Sequence, residues 1–242
     1  MRFSFIMMNA REMKTSDGGK PNPLRDVRVR QAVAYALDRE AILKAMVGTG
    51  ARVPRSFCYT TQFGCEQNVM QYPHDPARAK KLLAEAGYPN GVTLDLQAIR
   101  SRDWTTAVAG QLDAVGIKTT INFIPYAAAQ QRLSRNEEQL YLVDGGWFSI
   151  NDTYAVLNPN FSGDDWDAAH DPEVTQAVLA AGRSNDDATR KSLYAKALAR
   201  ISEQMYVLPM WTHPGIVAFS NTLEFTPFFD ENPRFFLTSW KK

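Results

Sequence analysis

The sequence predicts an α/β lobe, a sheet with helices packed on it, and three observations predict it. Stretches that alternate apolar and polar residues, at Val92-Leu94-Leu96 and Ile117-Thr119-Ile121-Phe123, are separated by stretches carrying one apolar stripe at helical spacing. Two Asp-Pro pairs, Asp75-Pro76 and Asp171-Pro172, mark helix starts, because a side-chain acceptor caps the first turn and the proline ring suits its first position. From residue 92 to 143 the order is strand, helix, strand, helix, strand, which favours helices packed on a sheet. That order leaves open which strand lies in the middle.

Taken in turn, Met1 to Asn9 is too short and too alternating for a signal peptide, and reads as a β-strand whose neighbours lie elsewhere. Residues 10–25 are polar and rich in Lys, Gly and Pro, a loop or hinge approach. Asp26 caps a helix with Val29, Ala32, Val33, Ala36 and Leu37 on one stripe, and Asp38 caps a second that Gly48 ends. From Gly48 to Tyr72 no period is visible, and a loop so long is expected to wrap the lobe.

After Asp75-Pro76, Ala79, Leu82, Leu83 and Ala86 form a stripe, Gly87 takes the left-handed position and Pro89 blocks continuation. Helices follow over about Asp103–Val115 and Tyr126–Ser134, with a third strand at Leu140-Tyr141-Leu142-Val143. Asp171-Pro172 opens a helix through Val174, Ala177, Val178 and Ala181, and Asp186 or Asp187 caps a long one through Leu193, Ala197, Leu198 and Ile201. Val207-Leu208-Pro209-Met210-Trp211 is interrupted by proline, so an edge strand or crossover is expected. The last thirty residues carry no helix signal and are crowded with aromatics, from Phe219 to Trp240, that need something to pack against.

Composition narrows the function classes. With 27 basic against 26 acidic residues, the net charge of +1 argues against a nucleic-acid binder, whose affinity needs a surplus of Lys and Arg. No apolar run approaches the ~20 residues of a membrane span. Neither Gly-x-Ser-x-Gly nor HExxH occurs, and His74, His170 and His213 are scattered, so a hydrolase has thin support. No Cys/His/carboxylate cluster suggests a metal site, and no cofactor is implied. Cys58 and Cys65 stand seven apart in a Gly- and Thr-containing loop, either as a small disulfide ring suited to an oxidising compartment or as two unrelated buried thiols.

Four stretches carry a family resemblance. Asn22-Pro23-Leu24-Arg25-Asp26-Val27-Arg28-Val29-Arg30-Gln31-Ala32-Val33-Ala34-Tyr35-Ala36-Leu37-Asp38-Arg39-Glu40 is similar to a "DxRVRQAxxYAIDRE" segment of the family-5 solute-binding proteins of peptide and nickel importers. Tyr72-Pro73-His74-Asp75-Pro76 through Leu82-Leu83-Ala84-Glu85-Ala86-Gly87-Tyr88-Pro89-Asn90-Gly91 resembles its "YDPxKAKxLLAEAGYPxG". Gln111-Leu112-Asp113-Ala114-Val115-Gly116-Ile117 resembles its "QLxxxGI", and Gly146-Trp147 its later "GW", all in the expected order.

The resemblance implies the second lobe of a class II periplasmic binding protein: a mixed sheet flanked by helices with an irregular aromatic C-terminal tail. It implies a hinge strand over residues 1–9, a ligand-closing lobe over 10–210, and a segment at 211–242 returning to an N-terminal lobe of the same protein that this sequence lacks. The function implied is capture of a small peptide or peptide-like solute by hinge closure, outside the cell or in the periplasm, for delivery to an ABC permease in the inner membrane. Within the family an oligosaccharide, an opine, glutathione or a nickel chelate is the alternative cargo.

Ligand contacts are expected in the loop after the third strand, because sites form at the carboxyl ends of strands in α/β sheets. There Gly145 and Gly146 permit close backbone approach, Trp147 offers a stacking face, and Ser149, Asn151 and Asp152 offer hydrogen bonds. Equally, Trp147 could anchor the core and the polar residues make a turn. Peptide-binding relatives often carry an aspartate three residues after this tryptophan, for the peptide's amino group. Here Ile150 stands there, with Asp152 two further on. Arg135, twelve residues before the tryptophan, matches an arginine position of oligopeptide binders, or ends a solvated helix beside Glu137 and Glu138.

Overall fold

The computed structural model describes residues 2–13, 21–99, 101–146, 150–228 and 232–241. Five strands, β1 (Arg2–Met8), β2 (Val92–Ala98), β3 (Ile117–Phe123), β4 (Leu140–Gly146) and β5 (Val207–Thr212), form one sheet in the order β3-β2-β4-β1-β5. β2 pairs in parallel with β3 and β4, whereas β1 runs antiparallel to both β4 and β5. Four strands therefore end at one edge of the sheet, and β1 starts there. The neighbours that the first nine residues require are β4 and β5, and the second strand of the strand–helix series, β3, is at the edge.

Alternation along β1 serves two cores. Phe3, Phe5 and Met7 face one, Ile6 and Met8 the other, and all are buried. On the Ile6 face pack α1 (Val27–Ala36), α2 (Arg39–Met46), α3 (Pro76–Glu85) and α4 (Arg102–Asp113) through Val33, Ile42, Leu83 and Leu112. On the Phe5 face pack α5 (Tyr126–Ser134), α6 (Tyr154–Phe161), α7 (Pro172–Arg183) and α8 (Asp187–Gln204) through Leu133, Leu157, Val178 and Leu198. This makes a three-layer sandwich with a mixed sheet.

The aspartate caps are where the sequence puts them. Asp26, Asp38, Asp75, Asp171 and Asp186 each accept a first-turn backbone N–H, a contact worth about 1 kcal/mol. α4 begins one residue earlier than expected, capped by Ser101. α6 has no counterpart in the sequence analysis, which assigns no element between the loop after the third strand and Asp171; Pro159 lies inside this helix. Pro209 does fall on an edge strand, where the register shifts beside Phe5 and the missing N–H costs no ladder bond to a further strand. Between β2 and β3 the backbones meet at Gly91, φ +90°, where an added Cβ would lie 2.4 Å from the Gly116 carbonyl oxygen.

The long stretch after α2 does wrap the lobe, burying Phe57, Cys58 and Val69 in the Phe5-face core and Tyr72 in the other. The tail has little regular structure: two-residue strands β6 (Leu223–Glu224) and β7 (Ser239–Trp240), and one 3-10 turn at Phe235–Leu237. Phe235, Phe236 and Trp240 are largely exposed.

At the amino ends of β2 and β4 lies a buried polar cluster. Asn9 Nδ2 donates to the Glu138 carbonyl, Gln139 Nε2 to Asn22 Oδ1, and the Asp95 N–H to Gln139 Oε1. The Glu138 carboxyl is fully enclosed; Arg132 donates to Oε1 at 2.8 Å, while Oε2 has no hydrogen-bond partner among the described residues. Burial pushes its pKa up to about 7 against the pull of Arg132. Because the folded value exceeds the ordinary 4.5, this group's contribution is fully present below pH 4.5 and is lost as pH rises through about 7. Glu138→Gln should therefore flatten the stability profile in that window, removing a decline of about 1–3 kcal/mol. Urea denaturation at a series of pH values reads this, and an unchanged slope in the variant would contradict it.

Candidate functional site

The edge where β2, β3, β4 and β5 end gathers a set of polar and aromatic groups, some buried and some open to solvent. Ser4 and Asp144 face each other across the β1–β4 pairing, and Ser4 Oγ donates to Asp144 Oδ1 at 3.2 Å. His213, the residue after β5, brings Nε2 to 2.9 Å from the same Oγ, and its backbone N–H donates to the Arg2 carbonyl at 3.0 Å. Trp104, in the first turn of α4, packs edge-on against Trp211 at 5.2 Å and tilts against the His213 ring at 5.6 Å. The Arg102 guanidinium lies 4.4 Å from the Phe123 ring. One half of the edge is thus a polar and aromatic patch on the α4 side of the sheet.

On the opposite face a cavity of about 120 Å³ lies between α5, α6 and the sheet. Its walls include Phe5, Tyr126, Gln130, Tyr141, Asn160 and Trp166, and it reaches Asp144 and Gly145 at the end of β4. Gln130 Oε1 is buried and has no hydrogen-bond partner among the described residues. Aromatic rings and neutral amides suit an uncharged group carrying a hydrogen-bond donor. The volume falls well short of the ~300 Å³ and more of complete small-molecule pockets. A larger hollow of about 520 Å³ lies at the other end of β2 and β3, beside Pro21 and Gly91.

Of the residues expected from sequence, Trp147 and Ser149 lie outside the described residues. Asn151 is exposed at the carboxyl edge, and its carbonyl accepts the Phe63 N–H at 3.1 Å. Asp152 points to α8. Arg190 Nη2 donates to its Oδ2 at 2.6 Å, and the Tyr194 hydroxyl to Oδ1 at 2.8 Å. The Tyr154 N–H also donates to Oδ1, at 2.9 Å, opening α6. Burial, with the Asp152 carboxylate beside it, pushes the Tyr194 hydroxyl up to about 12, which keeps it a donor at neutral pH.

The structure does not bring Arg135 to this group. It is exposed just past α5, whose nine residues span ~13 Å away from the carboxyl edge. The next residue, Asn136, accepts from Asn9 beyond the far end of β1. Cys58 and Cys65 are joined, S–S 2.04 Å, with no free cysteine among the described residues. Ser4, Asp144, Trp104 and His213 carried no sequence signal of their own. Their meeting depends on the pairing of β1 with β4 and β5, which spans more than two hundred residues of chain. The adjacent alternation of β1 could have suggested only that Ser4 points away from Phe5.

The family described as bacterial extracellular solute-binding proteins, family 5 Middle, matches residues 1–168. The chain belongs to that family. Heme-binding protein A of Haemophilus influenzae is 34% identical over 140 residues, covering 53% of this chain and 25% of that protein. The glutathione-binding protein GsiB of Shigella dysenteriae is 28% identical over 222 residues, covering 83% of this chain and 42% of that protein. Among solved structures, a dipeptide-binding protein from Pseudoalteromonas sp. SM9913 in complex with Met-Leu superposes with a TM-score of 0.83 at 21% identity. It covers 99% of this chain and 48% of that one, a likeness of fold. The chain thus spans less than half the length of these family-5 relatives, and its α/β lobe has the fold of periplasmic binding proteins.

Proposed function

We propose that this chain is the closing lobe of a two-lobed solute-binding protein that captures a small peptide or peptide-like solute and hands it to an ABC permease. The observation that carries this reading is the geometry of the carboxyl edge. β1 enters and β5 leaves the sheet side by side at the same edge that presents Asp144, His213 and the loop after β4, with buried Ser4 hydrogen-bonded to both side chains. Two adjacent strands crossing one edge make a natural hinge, and a solute held there would touch both lobes, so that binding favours closure. In this reading residues 1–9 lead out of the hinge, 10–210 form the lobe, and 211–242 return to a first lobe that covers Phe235, Phe236 and Trp240.

Trp147, Ser149 and Asn151 are our proposed contacts from the loop, joined by Trp104 and Asp144. Asp152 holds the loop in place, and Arg135 is left out. Binding rather than catalysis fits the burial of Ser4, only 1% exposed, which keeps its hydroxyl from acting as a nucleophile. Extracellular or periplasmic location fits the disulfide. The aromatic and amide-lined cavity favours an uncharged side group at this end of the solute, which also suits an oligosaccharide.

Native mass spectrometry of the protein purified from its own source tests the reading. A co-purified peptide-like solute, lost together with affinity in Trp104→Ala, is the expected result. A protein that carries and binds no peptide, glutathione conjugate or saccharide would overturn it.

A further inference from the structure

The ring closed by Cys58 and Cys65 lies directly against the loop that follows β4. Phe63 forms an isolated parallel bridge with Asp152. Its N–H donates to the Asn151 carbonyl at 3.1 Å, and its carbonyl accepts from the Thr153 N–H at 3.1 Å and the Thr153 hydroxyl at 2.8 Å. Gln62, 4% exposed, reaches the same backbone: its Nε2 donates to the carbonyls of Ile150 at 3.2 Å and Asp152 at 3.3 Å. The other end of that amide accepts the Tyr59 N–H at 3.0 Å, so the side chain is tied to its own ring while it holds the loop.

Two further contacts fix the ring to the body of the lobe. Gly64 adopts φ +75°, and a Cβ there would lie 2.3 Å from the Tyr194 ring, the tyrosine that donates to Asp152. The Tyr59 hydroxyl donates to the Arg2 carbonyl, at the first described residue of β1. No helix or named strand lies within residues 51–75, so the ring's backbone has no ladder of its own. A covalent closure across seven residues supplies instead the restriction that regular structure supplies elsewhere.

We propose that this disulfide-closed ring is a positioning clamp for the ligand loop: Gln62 and Phe63 set the backbone of Ile150–Thr153, and with it the solute contact assigned to Asn151. The inference rests on the binding site proposed above, and neither Cys58, Cys65, Gln62 nor Phe63 touches solute in it. The clamp acts by limiting what the loop must lose on binding, since a loop already held in its bound shape pays less ordering entropy. It joins the loop to β1 at Arg2, so loop and hinge strand share one fixed support.

Hydrogen exchange and titration of the native protein test this together, comparing wild type with Gln62→Met and with Cys58→Ser/Cys65→Ser. The probes are Met-Leu and S-methylglutathione, which cannot exchange with the disulfide. In both variants the amides of Phe63 and Thr153 should exchange at least about tenfold faster, while those of β1 and β4 keep their protection. Affinity for whichever probe wild type binds should fall about tenfold or more. Unchanged exchange at Phe63 and Thr153 overturns the clamp, as does faster exchange there with affinity within twofold of wild type. Exchange that rises equally in β1 and β4 also overturns it, since that marks a purely global role. If wild type binds neither probe, those two compounds are excluded as cargo, and the exchange arm alone decides whether the ring holds the loop.

Discussion

Phe5→Ala should lower the unfolding free energy by about 3–5 kcal/mol, the range for truncating a fully packed aromatic side chain. Phe5 is 3% exposed, in the strand flanked by both β4 and β5. Its ring meets Phe57 edge-on at 5.0 Å and Phe3 at 5.8 Å, so three elements lose contacts together: β1, the long loop and, through Phe57, Phe161 of α6. A cavity in that place cannot close without moving β1, which is held between β4 and β5. Urea denaturation gives the number directly, and a loss under about 1 kcal/mol would mean that this core tolerates collapse.

Asp152→Ala should cost about 2–4 kcal/mol, for a different reason. The carboxylate accepts from Arg190, Tyr194 and the first N–H of α6, and its removal leaves a partly buried guanidinium against the Phe63 ring, 4.9 Å away. Part of the loss is the missing ion pair, since Arg190 keeps only the Tyr194 hydroxyl and the Ala181 carbonyl as acceptors among the described residues. Arg190→Met in the same chain should therefore recover part of it, giving a coupling of more than about 1 kcal/mol in a double-mutant cycle. Additive losses would show that Asp152 acts through Tyr194 and the α6 N–H and not through Arg190.

The sequence carried the elements better than it carried the site. Asp26, Asp38, Asp75, Asp171 and Asp186 are local signals, read within four residues of themselves, and each stands at a helix start. Periodicity found β2, β3 and β4 for the same reason. Strand order was not legible, because β1 pairs with partners more than 130 residues away, and nothing in residues 2–8 names them. The patch of Ser4, Asp144 and His213 follows from that pairing and shared its invisibility. Asp152 looked available from its position after Gly146-Trp147. Only the packing of α8 shows that Arg190 and Tyr194 occupy its carboxylate. Helix α6 was hidden by Pro159, whose local preference for a turn was overridden by burial of Val156, Leu157 and Phe161.

The central claim is that solute binds at the edge where β2 to β5 end. Hydrogen exchange of the native protein with and without its co-purified solute tests it most directly. Slowed exchange is expected at Ser101–Trp104, Tyr126–Gln130 and Asn151–Tyr154, with residues 135–139 and 88–93 unchanged. Protection confined to 88–93 and 113–118, around the hollow at the opposite ends of β2 and β3, would contradict it.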